Sequence, residues 1–398
     1  VMLFVCFVLS ALGIVPECRA DEFAAPQGQI ALSRPEISWK IWATNGRAIA
    51  RTEMQLDGRT VITIYQTAQR ALVYQPNTPL SAGTHTVTCR VQLDDGAIAQ
   101  HSWSFSVSAN AIPTLPTPNA NQRVLFEGAN RFRRLMGLPD FVLNMALCAA
   151  AQAHSQYAVQ NPGEAHGETE GKPGFRGKSP TDRVRAMGYS GGAGEDMAWG
   201  NPKESITQLI GAPYHRLPFM EPGSPNFGGG SSEGVTTLNF HGQGGKGIVI
   251  YPIPEQTNVP LAFNGGETPN PLRMHPASGH TGYVITLAAF GMEGKLRFVR
   301  ASLSDSSGGS VPFLVNSPEN YNHLRNAVFV IPQKPLQSGT TYEVKIVFGF
   351  GNGGELDRTW RFTTQGKAAN GARLPGFASE PTPKLPKKNE TLPLAPIG

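Results

Sequence analysis

From Val87 to Leu93 every second position is apolar (Val87, Cys89, Val91, Leu93), and the same alternation returns at Val344, Ile346 and Phe348. A period of two places such side chains on one face of a β-strand. Both stretches belong to a longer internal repeat. Residues 76–105 read PNTPLSAGTHTVTCRVQLDDGAIAQHSWSF, and residues 332–362 read PQKPLQSGTTYEVKIVFGFGNGGELDRTWRF. Each runs Pro-x-x-Pro-Leu-x-x-Gly-Thr, then a strand, a glycine turn, and a strand ending in Trp-x-Phe. The offset is 256 from Pro76 to Pro332 and 257 from Trp103 to Trp360, one residue inserted in the hairpin. Trp103 with Phe105, and Trp360 with Phe362, are therefore expected to face one core each. Short strand-like pieces precede both copies: ISWKIWA and VITIYQ, then YVITLAAF and LRFVRASL. The economical reading is two immunoglobulin-like β-sandwiches, at 28–110 and 275–365. Between the first of them and the middle, AIPTLPTPNA (111–120) reads as a Pro-rich linker.

The middle, 121–255, changes period. Val124, Leu125, Ala129, Phe132, Leu135 and Met136 recur at helical spacing and stop at Gly137-Leu138-Pro139. A second helix is expected over Leu143–Gln160, so apolar that it must pack on more than one side. A third opens at Ser179-Pro180-Thr181-Asp182 and ends at Gly188; a fourth opens at Asn201-Pro202-Lys203-Glu204 and stops before Pro213. Strands follow at 235–240 and 247–252. Helices followed by strands, without regular alternation, predict an α+β class or a three-layer sandwich.

At the N-terminus, VMLFVCFVLSALGIV is an uncharged apolar run, too short to span ~30 Å of hydrocarbon. It suits the core of a signal peptide, 1–20, with cleavage after Ala20 and a soluble, extracytoplasmic mature chain. Cleavage leaves Cys89 and Cys148, in different expected domains and read as small buried hydrophobes rather than a disulfide. The net charge is +5, of which residues 366–398, a Pro/Lys-rich tail read as disordered, supply five basic and two acidic residues. The body is nearly neutral, which sets nucleic acid aside as a partner.

Two motif matches are read as decoys. Gly242-Gln-Gly-Gly-Lys-Gly247 fits G-x-G-x-x-G, yet it leads into a strand where phosphate binding needs a helix N-terminus. Gly230-Ser-Ser-Glu-Gly234 fits G-x-S-x-G, but a nucleophile elbow at Ser232 needs a following helix, and a strand follows instead.

Asn130-x-x-Arg133-x-x-x-Gly137-Leu138-Pro139, AAQAHSQYAVQN, HGETEGKPGFRGKSPTDRVRAMGY, GAGEDMAWGN and YHR occur in that order. Together they resemble the bacterial branch of the CAP superfamily (cysteine-rich secretory, antigen 5 and pathogenesis-related proteins), and YPIPEQTNVPLAFNGGETPNP resembles the segment that follows the domain in multidomain members. The resemblance implies a secreted α-β-α sandwich whose cleft holds two His and two acidic residues able to bind a divalent cation such as Zn²⁺. By motif, His166, Glu195 and His215 take three of those positions. Where the family has its second Glu, this chain has Gly211-Ala212; Glu204 is the nearest carboxylate, and its place in the first turn of a helix explains it as a capping residue. His154 is read as core or cleft wall.

Two imidazoles and a carboxylate suit a divalent cation, but separations of 29 and 20 residues leave the fold to assemble them. The expectation is a secreted binding protein: a CAP cleft for a small ligand or cation, and Ig-like domains for attachment to a cell-envelope component. The alternative is a metal-dependent extracellular hydrolase acting on a peptide or ester in the same cleft.

Overall fold

The computed structural model describes residues 18–43, 47–242, 245–263, 266–273, 275 and 280–366, with the backbone alone for 18–23. Residues 1–17 of the expected signal segment and the tail from 367 lie outside the described residues. Contacts gather into two units: the described residues up to Pro116 with Thr181–Gly192, and Thr117–Pro180 with the described residues from Ala193 onward.

In the first unit, strands β1 (Cys18–Ala25), β2 (Gly28–Leu32), β3 (Ile37–Ala43), β4 (Ile49–Leu56), β5 (Arg59–Val61), β6 (Ile64–Gln66), β7 (Ala71–Tyr74), β8 (Gly83–Leu93) and β9 (Ile98–Ile112) form two sheets. Their orders are β1-β3-β7-β6 and β2-β9-β8-β4-β5. Hairpin β8–β9 is the first copy of the repeat, with Val87 opposite Trp103. Val87, Cys89, Val91 and Leu93 are buried with Trp39, Met54 and Phe105, so the alternating face is the core face. Trp103 is half-buried; it stacks on His101, and its Nε1–H donates to Pro26 O at 3.0 Å.

The chain continues through α1 (Ala120–Leu135), β10 (Val142–Leu143), α2 (Met145–Gln160), α3 (Pro180–Ala186), β11 (Gly194–Trp199), α4 (Pro202–Gly211), α5 (Pro213–Met220), β12 (Asn226–Ser232) and β13 (Val235–His241). Four of these strands make one sheet, β10-β12-β13-β11, with β11 at its edge. The glycine triplet of β12 shows how helices cover both faces. A Cβ on Gly228 or Gly230 would stand 2.1–2.2 Å from the backbone of α2, whereas one on Gly229 would meet Leu125 of α1 at 2.9 Å on the opposite face. Small residues let α2 press directly on the strand; the result is the expected α-β-α sandwich. The G-x-S-x-G match is the β12–β13 hairpin, with Glu233 and Gly234 both at positive φ in the two-residue turn. The glycine motif at 242–247 joins β13 to a strand, and its residues 243–244 lie outside the described set. Pro213, expected only to end a helix, also starts α5 at its first turn, where its missing N–H is no loss.

The C-terminal strands are β14 (Gly247–Tyr251), β15 (Gln256–Val259), β16 (Ala262–Phe263), β17 (Thr281–Gly282), β18 (Ile285–Phe290), β19 (Leu296–Asp305), β20 (Phe313–Asn316), β21 (Ala327–Pro332), β22 (Thr341–Phe350) and β23 (Leu356–Thr364). They form sheets β14-β18-β21-β20 and β15-β23-β22-β19, with β16–β17 as a small pair. Val344 lies opposite Trp360, the register of the first copy, and in both sandwiches an early strand runs parallel to the last, β2 with β9 and β15 with β23. Strands β14 and β15 precede residue 275, where the sequence places the start of this sandwich. Nothing local marks their partners, which are strands about 40 and 100 residues later. One apolar cluster runs through the α-β-α sandwich and this β-sandwich, from Phe132, Phe219 and Phe240 through Tyr251 to Tyr283 and Leu287.

Candidate functional site

Edge strand β11 carries Glu195 and Asp196 as neighbours, so they leave the sheet on opposite faces. Glu195 pairs across the ladder with Asn239, whose Nδ2 donates to Leu147 O of α2, and so belongs to the α2 face. Asp196 pairs with Leu238, which shares its face with Gly229 and α1.

On the α2 face, His166 Nδ1 lies 3.0 Å from Glu195 Oε1. The Glu195 side chain is almost fully buried, while that of His166 is about half exposed. Behind Glu195 stands His154 of α2, fully buried, with Nε2 3.6 Å from the same Oε1. His154 Nδ1 meets Glu168 Oε1 at 2.9 Å, and Nε2 meets Ala165 O at 2.9 Å. Glu168 Oε2 accepts from the N–H groups of Arg176 and Gly177, which ties down the loop that carries His166. The expected wall residue thus also holds Glu195 in place.

On the other face, His215 sits in the first turn of α5 with Nδ1 2.9 Å from Glu267 Oε2. The Glu267 carboxylate is buried and also accepts from Tyr214 N at 3.1 Å and His215 N at 3.5 Å. Asp196 is buried, and its Oδ2 has no hydrogen-bond partner. Burial pushes its carboxyl up to about 7, against the pull of His215 and His166, with the Glu267 and Glu195 charges adding to the rise. Burial also raises Glu267, outweighing its hydrogen bonds from His215 and the backbone. For His215 burial alone lowers the pKa, but the Glu267 hydrogen bond and the Asp196 and Glu267 charges together raise it.

The structure therefore pairs His166 with Glu195 directly and brings His215 within electrostatic reach of Asp196, which His166 also influences. Among the described residues no three His, Cys, Asp or Glu side chains come close enough to hold a metal ion. The donor types suit Zn²⁺, but Glu195 and Asp196 flank the edge strand on opposite sides, and the set does not fit a ready-made cation centre. Glu204 is exposed in the first turn of α4, where Asn201 Oδ1 accepts its N–H at 3.0 Å; the capping side chain is that of Asn201, not the Glu204 carboxylate. The carboxylate beside His215 is instead Glu267, 52 residues further on. Proximity in the chain could not have found it. Asp196 was legible only as the second acid of Gly-Glu-Asp. Cys89 and Cys148 are free and buried.

Residues 126–240 match the family model described as "CAP: Cysteine-rich secretory protein family". They form a CAP domain. No curated protein matches the chain. Among solved structures, a Bacillus anthracis extracellular protein containing an SCP domain is 14% identical, over 56% of this chain and 67% of its own, with a TM-score of 0.27. CopC from Methylosinus trichosporium OB3b is 20% identical, over 23% of this chain and 94% of its own, with a TM-score of 0.18. The fibronectin(III)-like modules of Clostridium thermocellum CbhA are 10% identical, over 24% of this chain and 99% of theirs, with a TM-score of 0.18. Likenesses at that level carry no functional argument.

Proposed function

We propose that this is an extracytoplasmic binding protein whose CAP cleft takes a small polar ligand at the edge of β11, with the Ig-like sandwiches serving attachment to the cell envelope. The observation that carries the reading is Asp196. A buried carboxyl oxygen without a hydrogen bond is unfavourable by ~1–3 kcal/mol, and a ligand donor group would remove that penalty. His215 lies within electrostatic reach of it and offers a ring nitrogen for the same ligand, while His166 acts on it from the Glu195 side of the strand. The apolar N-terminal run supports an extracytoplasmic place, and no helix among the described residues is long and apolar enough to cross a membrane.

Native mass spectrometry of the purified chain tests this. A small non-covalent adduct on the parent, lost in both Asp196→Ala and His215→Ala, supports the reading; an adduct that survives both substitutions overturns it. Calorimetry with Zn²⁺ at pH 7.5 separates the cation case: no saturable site of high affinity is expected. One that disappears in His166→Ala and in His215→Ala would make the cleft a metal site assembled by the ion itself.

A further inference from the structure

We propose that Glu267, outside the segment matched to the CAP family, is the positioning residue that fixes which nitrogen of His215 faces the cleft. Helix α5 begins without a side-chain cap, because its N-cap residue is Ala212. Glu267 does that work from a distant part of the chain. Its carboxylate accepts the N–H groups of Tyr214 and His215, and the negative charge sits where the helix dipole favours it. The same Oε2 lies 2.9 Å from His215 Nδ1. A carboxylate here accepts only, so the Nδ1 proton stays in place in both charge states of the ring. Nε2 is then the atom that gains or loses a proton and the one presented to a ligand.

The next residue locks the turn from the other side. Arg216 is fully buried; Nε donates to Ile210 O at 2.7 Å, and Nη1 donates to Val284 O and Thr286 Oγ1, both at 3.0 Å. Its guanidinium also lies over the rings of Tyr251 and Tyr283, at 4.6 and 5.0 Å. Val284 and Thr286 lie in and beside β18 of the C-terminal sandwich, and Glu267 lies in the segment leading to it. The orientation of a CAP-cleft imidazole is therefore set by chain that follows the CAP domain. This deepens the proposed binding role, because it assigns the ring atom that role would use.

The test reads the tautomer, not ligand binding. Long-range ¹H–¹⁵N spectra of the full chain at pH 9, with His215→Asn to assign the signal, should show His215 protonated at Nδ1 and bare at Nε2. Glu267→Ala should lose the Nδ1-bound proton, and Glu267→Gln, which keeps a carbonyl acceptor, should retain it. Ala212→Ser combined with Glu267→Ala should recover the melting temperature by restoring a cap, but not the Nδ1 form. That double variant also carries the test if Glu267→Ala does not fold. A parent protonated at Nε2, or an Nδ1 form that survives in the double variant, would overturn the proposal. A cleft that binds no ligand would sink the function proposed above and leave this result standing.

Discussion

Asp196 holds a carboxyl where water cannot reach one of its oxygens, and the sign of its effect follows from its pKa of about 7. The unfolded value is ~3.9, so between those limits the native state keeps a proton that the unfolded chain has released. Stability contributed here is greatest at low pH and falls as the pH rises from about 4 to about 7. Asp196→Asn cannot ionise. Its melting temperature is expected to match or slightly trail the parent at pH 5 and to exceed it at pH 8, with the gap opening across that window. For ~2 kcal/mol the gap is roughly 4–8 °C in a unit of this size. Scanning calorimetry at pH 5, 6, 7 and 8 checks it, and parallel curves for the two proteins would count against a strained carboxyl. Arg133 is the contrasting residue. It was prominent in the pattern resembling CAP proteins, yet it donates to the carbonyls of Pro139, Phe219, Glu221 and Gly223, fastening the end of α1 to the end of α5. A motif residue can mark a family by holding the site's scaffold rather than by touching a ligand.

Elements built on local pattern were the most legible. The α4 start and the two repeat hairpins follow from cap and period, which act within a few residues, whereas α2 begins two residues after the expected Leu143, which pairs in β10, because Asn144 caps it. The role of the glycine triplet is not local, because it needs the opposing helix. Gly228→Ala and Gly230→Ala each put a methyl within 2.2 Å of α2 backbone, which no rotamer change relieves. Each is expected to lose at least ~3 kcal/mol, the upper end of overpacking, and to fall sharply in soluble yield. Gly229→Ala meets the Leu125 side chain at 2.9 Å, which can shift, and is expected to cost about 1 kcal/mol. Chemical denaturation of the three variants ranks them. Equal losses at all three would mean that the sheet does not alternate its faces against α1 and α2 as described. The same alternation explains why His166, Glu195 and His215 do not close on one point: a one-residue step along β11 crosses the sheet, and the sequence shows the step but not which strand lies at the edge.

At the scale of the molecule, the sequence shows where similar pieces recur but not what they pair with. The repeat suggested that residues 275–365 are a free-standing sandwich, and within that range the hairpin β22–β23 does form as expected. Its sheets are nonetheless incomplete there. β18 has β14 as its outer partner, over Gly247–Tyr251, and β23 has β15, over Gln256–Val259. A 275–365 fragment would expose both strand edges and remove Tyr251 from the shared core. Adding 247–274 restores the strands but leaves Tyr251 and Tyr283 without the Arg216 guanidinium that lies against them. In the reverse cut, residues 117–242 keep Arg216 buried without Val284 O and Thr286 Oγ1, and lack Glu267 at the start of α5. Losing acceptors from a buried charge costs about 3–5 kcal/mol, a large share of the stability of one domain. The piece 117–366 should therefore melt in a single cooperative transition by circular dichroism, while 275–365 and 117–242 should show weak, gradual unfolding. A sharp β-type transition in 275–365 alone would show that the sandwich tolerates two bare edges, and that its contact with the CAP domain is a docking rather than a common fold.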